Sequence, residues 1–262
     1  MKPHASVTRE HAQDAARPLL ASDEPPPFEL LTPQGSGRVL LVCDHASNRV
    51  PRRLAGLGLD AELRARHIAW DPGAAEVARG LAGRLDASLI LAGYSRLVLD
   101  LNRPLASPES IPERSDGVTI TGNLGLTHQD RVGRIDALFR PYHQAIAHLL
   151  DELNIRSPLL LSIHSFTPVL DGKRRPWHVG IASRRDRRLA ERLLYALARP
   201  GDVSVGDNQP YGIDDEHDYT LPTHGEERGI PHAMIELRQD LLRTPAEIAG
   251  WVERLAQVCA QL

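Results

Sequence analysis

Three short apolar runs in this chain of 262 residues end in side chains that can do chemistry. Residues 38–43 lead into Asp44-His45-Ala46-Ser47-Asn48, residues 159–163 into His164-Ser165, and residues 233–235 into Glu236-Leu237-Arg238. A fourth segment carries Ser95-Arg96 and Asp100-Leu101-Asn102-Arg103. Two histidines, a glutamate and the arginines form a kit for metal-assisted hydrolysis of an amide. The metal polarises the carbonyl and acidifies water, the carboxylate moves protons, and arginine holds an anionic substrate or a developing oxyanion. Each element alone is weakly specific. Their order and their positions after apolar runs carry the argument.

Such a set needs a scaffold that brings distant segments to one edge. Residues 38–43, 87–92, 97–99, 159–163, 178–182 and 233–235 read as strands buried in a parallel sheet, being short, apolar and rich in branched side chains. Trp70-Asp71-Pro72-Gly73 opens a helix with Asp71 as its cap and Pro72 in the first turn. Val77, Leu81 and Leu85 continue that helix at four-residue spacing. Residues 131–153 form a second helix, striped by Ile135, Leu138, Tyr142, Ile146 and Leu149, with Pro141 placed to interrupt it. Residues 185–198 and 245–262 read as two more. Strands alternating with helices predict an α/β fold, a single domain with a mostly parallel central sheet flanked by helices. Ligands in such sheets bind beyond the carboxyl ends of the strands. Residues 1–36 hold six prolines and no sustained apolar period, so they read as an extension ahead of a domain over 37–262.

Composition narrows the function classes. Aromatic residues make up 4% of the chain, too few for a base-stacking nucleic-acid surface, and the net charge of −3 attracts neither phosphate backbones nor anionic membranes. Residues 173–199 hold nine Lys or Arg against two acids, yet Leu189, Leu193, Leu194 and Leu197 give that helix a core face, which leaves the arginines solvated. Residues 200–240 hold ten acids against two arginines, so mutual neutralisation of the two stretches is expected. Cys43 and Cys259 are too far apart in sequence to suggest a metal cluster or a disulfide framework. No apolar run approaches membrane-spanning length and Met1–Glu10 is too polar for a secretory signal, so the expected location is the cytoplasm.

The runs 44–48, 94–104, 163–168 and 235–238 together resemble the N-formylglutamate amidohydrolase family, with Asp100-Leu101-Asn102-Arg103-Pro104 the most specific piece. That family is similar to zinc carboxypeptidases and aspartoacylase-like deacylases, so the resemblance implies a zinc-binding phosphorylase/hydrolase-like fold. It also implies one Zn²⁺ per chain and a small anionic N-acyl amino acid as substrate, N-formyl in the narrower form. His45 and His164 match the zinc histidines, Asn102-Arg103 the clamp for the substrate carboxylate, and Glu236 the general base. Asn48 stands where the wider pattern has a zinc-binding glutamate, and a neutral amide is a poor zinc ligand. Asp71 is then the expected third ligand, with Asn48 and Asp44 the alternatives. Arg96, Asn48 and Tyr211 are the further expected substrate contacts.

Plainer readings compete. His45 and His164 would otherwise be hydrogen-bonded core histidines, Asp71 an ordinary helix cap, and Arg103 a structural partner of Asp100. Arg238 would neutralise Glu236. His143 is a borderline candidate beside Tyr142. The rival functions are a zinc carboxypeptidase, a cell-wall peptide amidase, or a metal-free relative that binds carboxylates.

Overall fold

The computed structural model describes residues 18–32, 37–153 and 157–261. Its centre is a seven-stranded sheet built from β1 (Phe28–Leu31), β2 (Val39–Cys43), β3 (Ser88–Ala92), β4 (Leu159–Phe166), β5 (Val179–Ala182), β6 (Val205–Asp207) and β7 (His232–Arg238). The strand order is β1-β3-β2-β4-β7-β5-β6. Strands β3, β2, β4 and β7 run parallel in the middle. Antiparallel pairings attach β1 to β3 on one side and β5 to β7 on the other, and β6 is parallel to β5.

Six α-helices among the described residues accompany the sheet: α1 (Ala61–Ala65), α2 (Ala74–Leu85), α3 (His128–Arg134), α4 (Arg140–Leu153), α5 (Arg188–Ala198) and α6 (Pro245–Cys259). Strand alternation sorts the core into two layers. Leu41, Cys43, Leu161, Ile163, Ile235 and Leu237 pack with the apolar stripes of α2, α5 and α6. Leu40, Val42, Leu160 and Met234 pack on the opposite face with Tyr142, Ile146 and Leu150 of α4. The α4 side also receives the next residues of the same parity: Asp44 after Val42, His164 after Leu160 and Ser162, and Glu236 after Met234. Apolar side chains thus fill most of each strand, and the polar ones gather toward the carboxyl ends.

Several local details differ from the sequence reading. Phe28–Leu31 lies within the expected extension but forms edge strand β1, with Phe28 opposite Ala92. Residues 1–17 and 33–36 of that extension lie outside the described residues. Residues 97–99, read as a strand, form a buried turn. Side chains from elsewhere satisfy its backbone: Asn123 donates to the Leu97 carbonyl at 2.8 Å and Arg134 to the Val98 carbonyl at 2.9 Å. The cap of α2 is Gly73, at φ +81°, rather than Asp71. A Cβ on Gly73 would meet Leu242 at 2.5 Å, so glycine is required there. Pro141 does interrupt its helix: a π-turn over Ile135–Phe139 separates α3 from α4, as expected where a ring replaces an N–H.

Candidate active site

His45 lies in the turn after β2, Asp71 before α2, and His164 within β4. Each offers one ligand atom, these atoms lie within 4.8 Å of one another, and all three residues are buried. The Asp71 Oδ2 atom lies 2.9 Å from His164 Nδ1 and 3.4 Å from His45 Nδ1. Both rings also meet a carboxylate at the other nitrogen. His45 Nε2 is 2.8 Å from Asp100 Oδ1, and His164 Nε2 is 3.2 Å from Asp44 Oδ2. Histidines that ligate metals usually carry such a carboxylate behind them, because it fixes the tautomer and aims the free lone pair forward.

The electrostatics are those of a buried cluster of opposite charges. Burial raises the pKa of Asp71, yet His45 and His164 hold its carboxyl far below the usual range. Burial likewise opposes ionisation of Asp100 and Asp44, but Arg96 and His45 hold Asp100 well down, and His164 with His45 brings Asp44 to about 2. Three buried carboxylates therefore surround two imidazoles, with the Arg96 guanidinium on Asp100 at 2.7 Å. Burial depresses the imidazolium of His164, but Asp44 and Asp71 outweigh it and hold the ring charged well above its ordinary pKa. The donor set of two Nδ1 atoms and one carboxylate suits zinc, and a divalent ion can supply the charge that ring protons otherwise carry.

Glu236 stands beside this trio on β7, as the register partner of His164 on β4. Its side chain is buried and Oε2 has no hydrogen-bond partner among the described residues. Burial pushes its carboxyl up to about 7, with the charge of His164 opposing. A carboxyl with a free oxygen and a pKa near neutrality is equipped to take and return a proton. Arg238 does not neutralise it: that guanidinium donates to Asp240 at 2.7 Å and to the carbonyls of Arg175, Pro176 and Trp177.

His45, Asp71, His164 and Glu236 line one cavity together with Arg96, Asn102, Arg103 and Tyr211. Arg103 donates to Glu109 at 3.3 Å and to the His217 carbonyl, and does not pair with Asp100. Asn102 is committed to the chain. Its Nδ2 donates to Asp218 at 2.9 Å, and its Oδ1 accepts from the backbone of Tyr219 at 3.2 Å and Thr220 at 3.0 Å.

A family model for N-formylglutamate amidohydrolase matches residues 37–243. The chain belongs to the N-formylglutamate amidohydrolase family. Amide hydrolysis is therefore its general reaction class. A gene product of Agrobacterium tumefaciens of known structure is 36% identical, with 93% of this chain and 97% of that one covered and a TM-score of 0.89. The crystal structure of an N-formylglutamate amidohydrolase from Ralstonia eutropha shares the fold at 17% identity and a TM-score of 0.63, over 90% of this chain and 96% of that one. No curated protein matches the chain.

Of the residues singled out from sequence, this family member brings together His45, Asp71, His164, Glu236, Arg96, Asn102, Arg103 and Tyr211. Asn48 does not join them. Its amide donates to the Arg64 carbonyl at 3.1 Å, and it lines neighbouring surface hollows instead, so it is corrected as a third ligand and as a substrate contact. Asp44 holds the far nitrogen of His164 and accepts from Tyr142 at 2.9 Å and Thr220 at 2.8 Å. The sequence reading missed Asp100 as the partner of His45. It also missed Arg175: Lys173 and Arg174 of the basic run are exposed, but Arg175 is buried. Other bases of that run do meet the acids of residues 200–240, Arg184 on Glu226 and Arg187 on Asp207, each at 2.7 Å. No helix among the described residues is long and apolar enough to cross a membrane.

Proposed function

We propose that the chain hydrolyses the amide of an N-acyl acidic amino acid, N-formyl in the narrower form, with one zinc ion held by His45, Asp71 and His164. The observation that carries this reading is the unpartnered Oε2 of buried Glu236, one register step across the sheet from a histidine of the trio. Zinc bound there supplies Lewis acidity, which polarises a carbonyl and acidifies water. Glu236 takes the proton of the attacking water at its free oxygen and returns it to the leaving amine. Asp100 and Asp44 hold the two imidazoles in the tautomer that points Nδ1 toward Asp71. Arg103 and Arg96 face the cavity with guanidinium groups suited to the substrate carboxylate and to charge developing on the carbonyl oxygen. The buried free cysteines, Cys43 and Cys259, fit a reducing compartment, the cytoplasm.

The test is formate release from N-formyl-L-glutamate by the purified protein, with metal content measured on the same sample. One zinc per chain and loss of turnover on chelation are expected. A zinc-loaded protein inactive on N-formyl and N-acetyl derivatives of both glutamate and aspartate would refute the reading.

A further inference from the structure

Ser162 is the one polar side chain in the run Leu159–Ile163 of β4. It is fully buried, and its register partners across the sheet are Val42 on β2 and Met234 on β7. Packing between those two would be served by an apolar side chain, and a buried hydroxyl is costly unless it finds a partner. This hydroxyl reaches along its own strand. Alternation puts Ser162 and His164 on one face, where Ser162 Oγ lies 2.9 Å from His164 Nε2 and 3.1 Å from Asp44 Oδ2. Asp44 Oδ2 is in turn 3.2 Å from His164 Nε2, so the three atoms close a triangle.

Two protons serve the three sides of that triangle, and Asp44 decides where they sit. Its other oxygen, Oδ1, accepts from the hydroxyls of Tyr142 at 2.9 Å and Thr220 at 2.8 Å, so the carboxylate is an acceptor at both ends. A bare Nε2 would set its lone pair against those of Oδ2, so Nε2 carries a proton. A hydroxyl has one hydrogen to give and two lone pairs. Ser162 therefore gives its hydrogen to Asp44 and takes the Nε2 proton of His164, at the shorter of the two distances open to that proton. The opposite nitrogen, Nδ1, lies 2.9 Å from Asp71 Oδ2 and is the one that can exchange a proton for a cation. With the hydroxyl reversed, Nε2 would become the acceptor and Nδ1 would keep its proton.

We propose that Ser162 is a positioning residue for His164: its hydroxyl, turned by Asp44, accepts the Nε2 proton and holds the ring with Nδ1 toward Asp71. The consequence for zinc rests on the proposed function. The orientation of the ring does not.

Two measurements on the wild-type protein and its variants test this. One is exchange of the His164 Nε2 proton with water, followed by nitrogen-15 NMR of the metal-free protein at one fixed pH. The other is zinc affinity, from competition with a coloured chelator. Ser162→Ala should speed the exchange at least about fivefold, as the loss of one buried hydrogen bond does. It should also weaken zinc about 10–100-fold, the range for a group behind a metal-bound histidine. A thiol is a weak acceptor, so Ser162→Cys should move both quantities the same way by less. In Asp44→Asn, Tyr142 and Thr220 keep the amide oxygen at the Oδ1 position, which turns the amide N–H groups toward Ser162 and His164. That reverses the hydroxyl, so the zinc losses of Asp44→Asn and Ser162→Ala should not multiply in the double variant. Circular dichroism establishes that each variant is folded. Wild-type exchange or wild-type zinc affinity in folded Ser162→Ala or, should that variant fail to fold, in Ser162→Cys overturns the proposal. So do zinc losses that multiply in the double variant. A wild-type protein that takes up no zinc refutes the metal of the proposed function, and the exchange rates then decide the role of Ser162 by themselves.

Discussion

Glu236 and His164 are register partners on adjacent parallel strands, and both point to the sheet face covered by α4. One neighbour of Glu236 is therefore a histidine of the proposed metal-binding trio, while its Oε2 has no hydrogen-bond partner among the described residues. Glu236→Gln keeps the shape of the side chain and removes its ability to accept a proton. Arg238 is engaged elsewhere, so the change strands no buried cation. We expect folded protein with wild-type zinc content and a kcat lowered by about 10²–10⁴, the usual scale for a general acid–base group. Near wild-type kcat in a zinc-loaded variant would remove Glu236 from the mechanism.

The two carboxylates behind the histidines separate ligation from orientation. His45→Ala and His164→Ala each delete a proposed ligand and should abolish stable zinc binding. Asp100→Asn leaves the ligand in place but weakens its hold on His45 Nε2, now 2.8 Å away, so zinc affinity should fall about 10–100-fold. Competition with a coloured chelator measures all three. Zinc binding of wild-type strength in both histidine variants would count decisively against the site.

His45, His164 and Glu236 were readable in the sequence for a simple reason. A strand buried on both faces is a continuous apolar run, and its first polar residues mark the edge where ligands bind. The same pattern misled at residues 97–99, because a buried turn is as apolar as a strand. What decides there is the pair of donors from Asn123 and Arg134, which come from distant segments. Asp71 looked like a helix cap because Asp-Pro so often is one. Gly73 takes that position through its positive φ and leaves the Asp71 carboxylate to the histidines. Arg175 was hidden in a run of bases, and its burial beside the rings of Phe166 and Tyr211 distinguishes it from its exposed neighbours.

Asn102 illustrates a role that spacing does not reveal, since its partner Asp218 is 116 positions away. Its amide stitches the 218–220 segment to the cavity wall rather than standing free for substrate. Asn102→Ala should lower stability by about 1–3 kcal/mol through unsatisfied buried groups. It should also speed amide exchange at Tyr219 and Thr220, whose N–H groups it now accepts. Unchanged exchange at those two positions would show that the clamp does not hold the segment.

His143 and His224 give the fold an acid-sensitive point outside the His45, Asp71 and His164 trio. Their rings stack with Nδ1 of His143 3.0 Å from Nε2 of His224, and His143 Nε2 lies 2.9 Å from the Leu101 carbonyl. Burial lowers both pKa values, His143 to about 4 and His224, with His143 adding to the effect, to about 3. The unfolded chain takes up protons at these rings near pH 6.5, while the folded protein does not until the pH reaches those lower values. The unfolded state therefore binds more protons across this window, and stability must fall as the pH drops from about 6.5 toward 4. Above pH 6.5 both states are neutral at these rings and the contribution is fully present. The loss is on the order of 3 kcal/mol per ring, less whatever the pair shares. His143→Gln keeps a neutral hydrogen-bonding side chain and removes one titrating ring. Urea unfolding at pH 7 and pH 4.5 should then show a smaller pH-dependent loss in the variant than in the wild-type protein. Equal losses in the two proteins would place the acid sensitivity elsewhere.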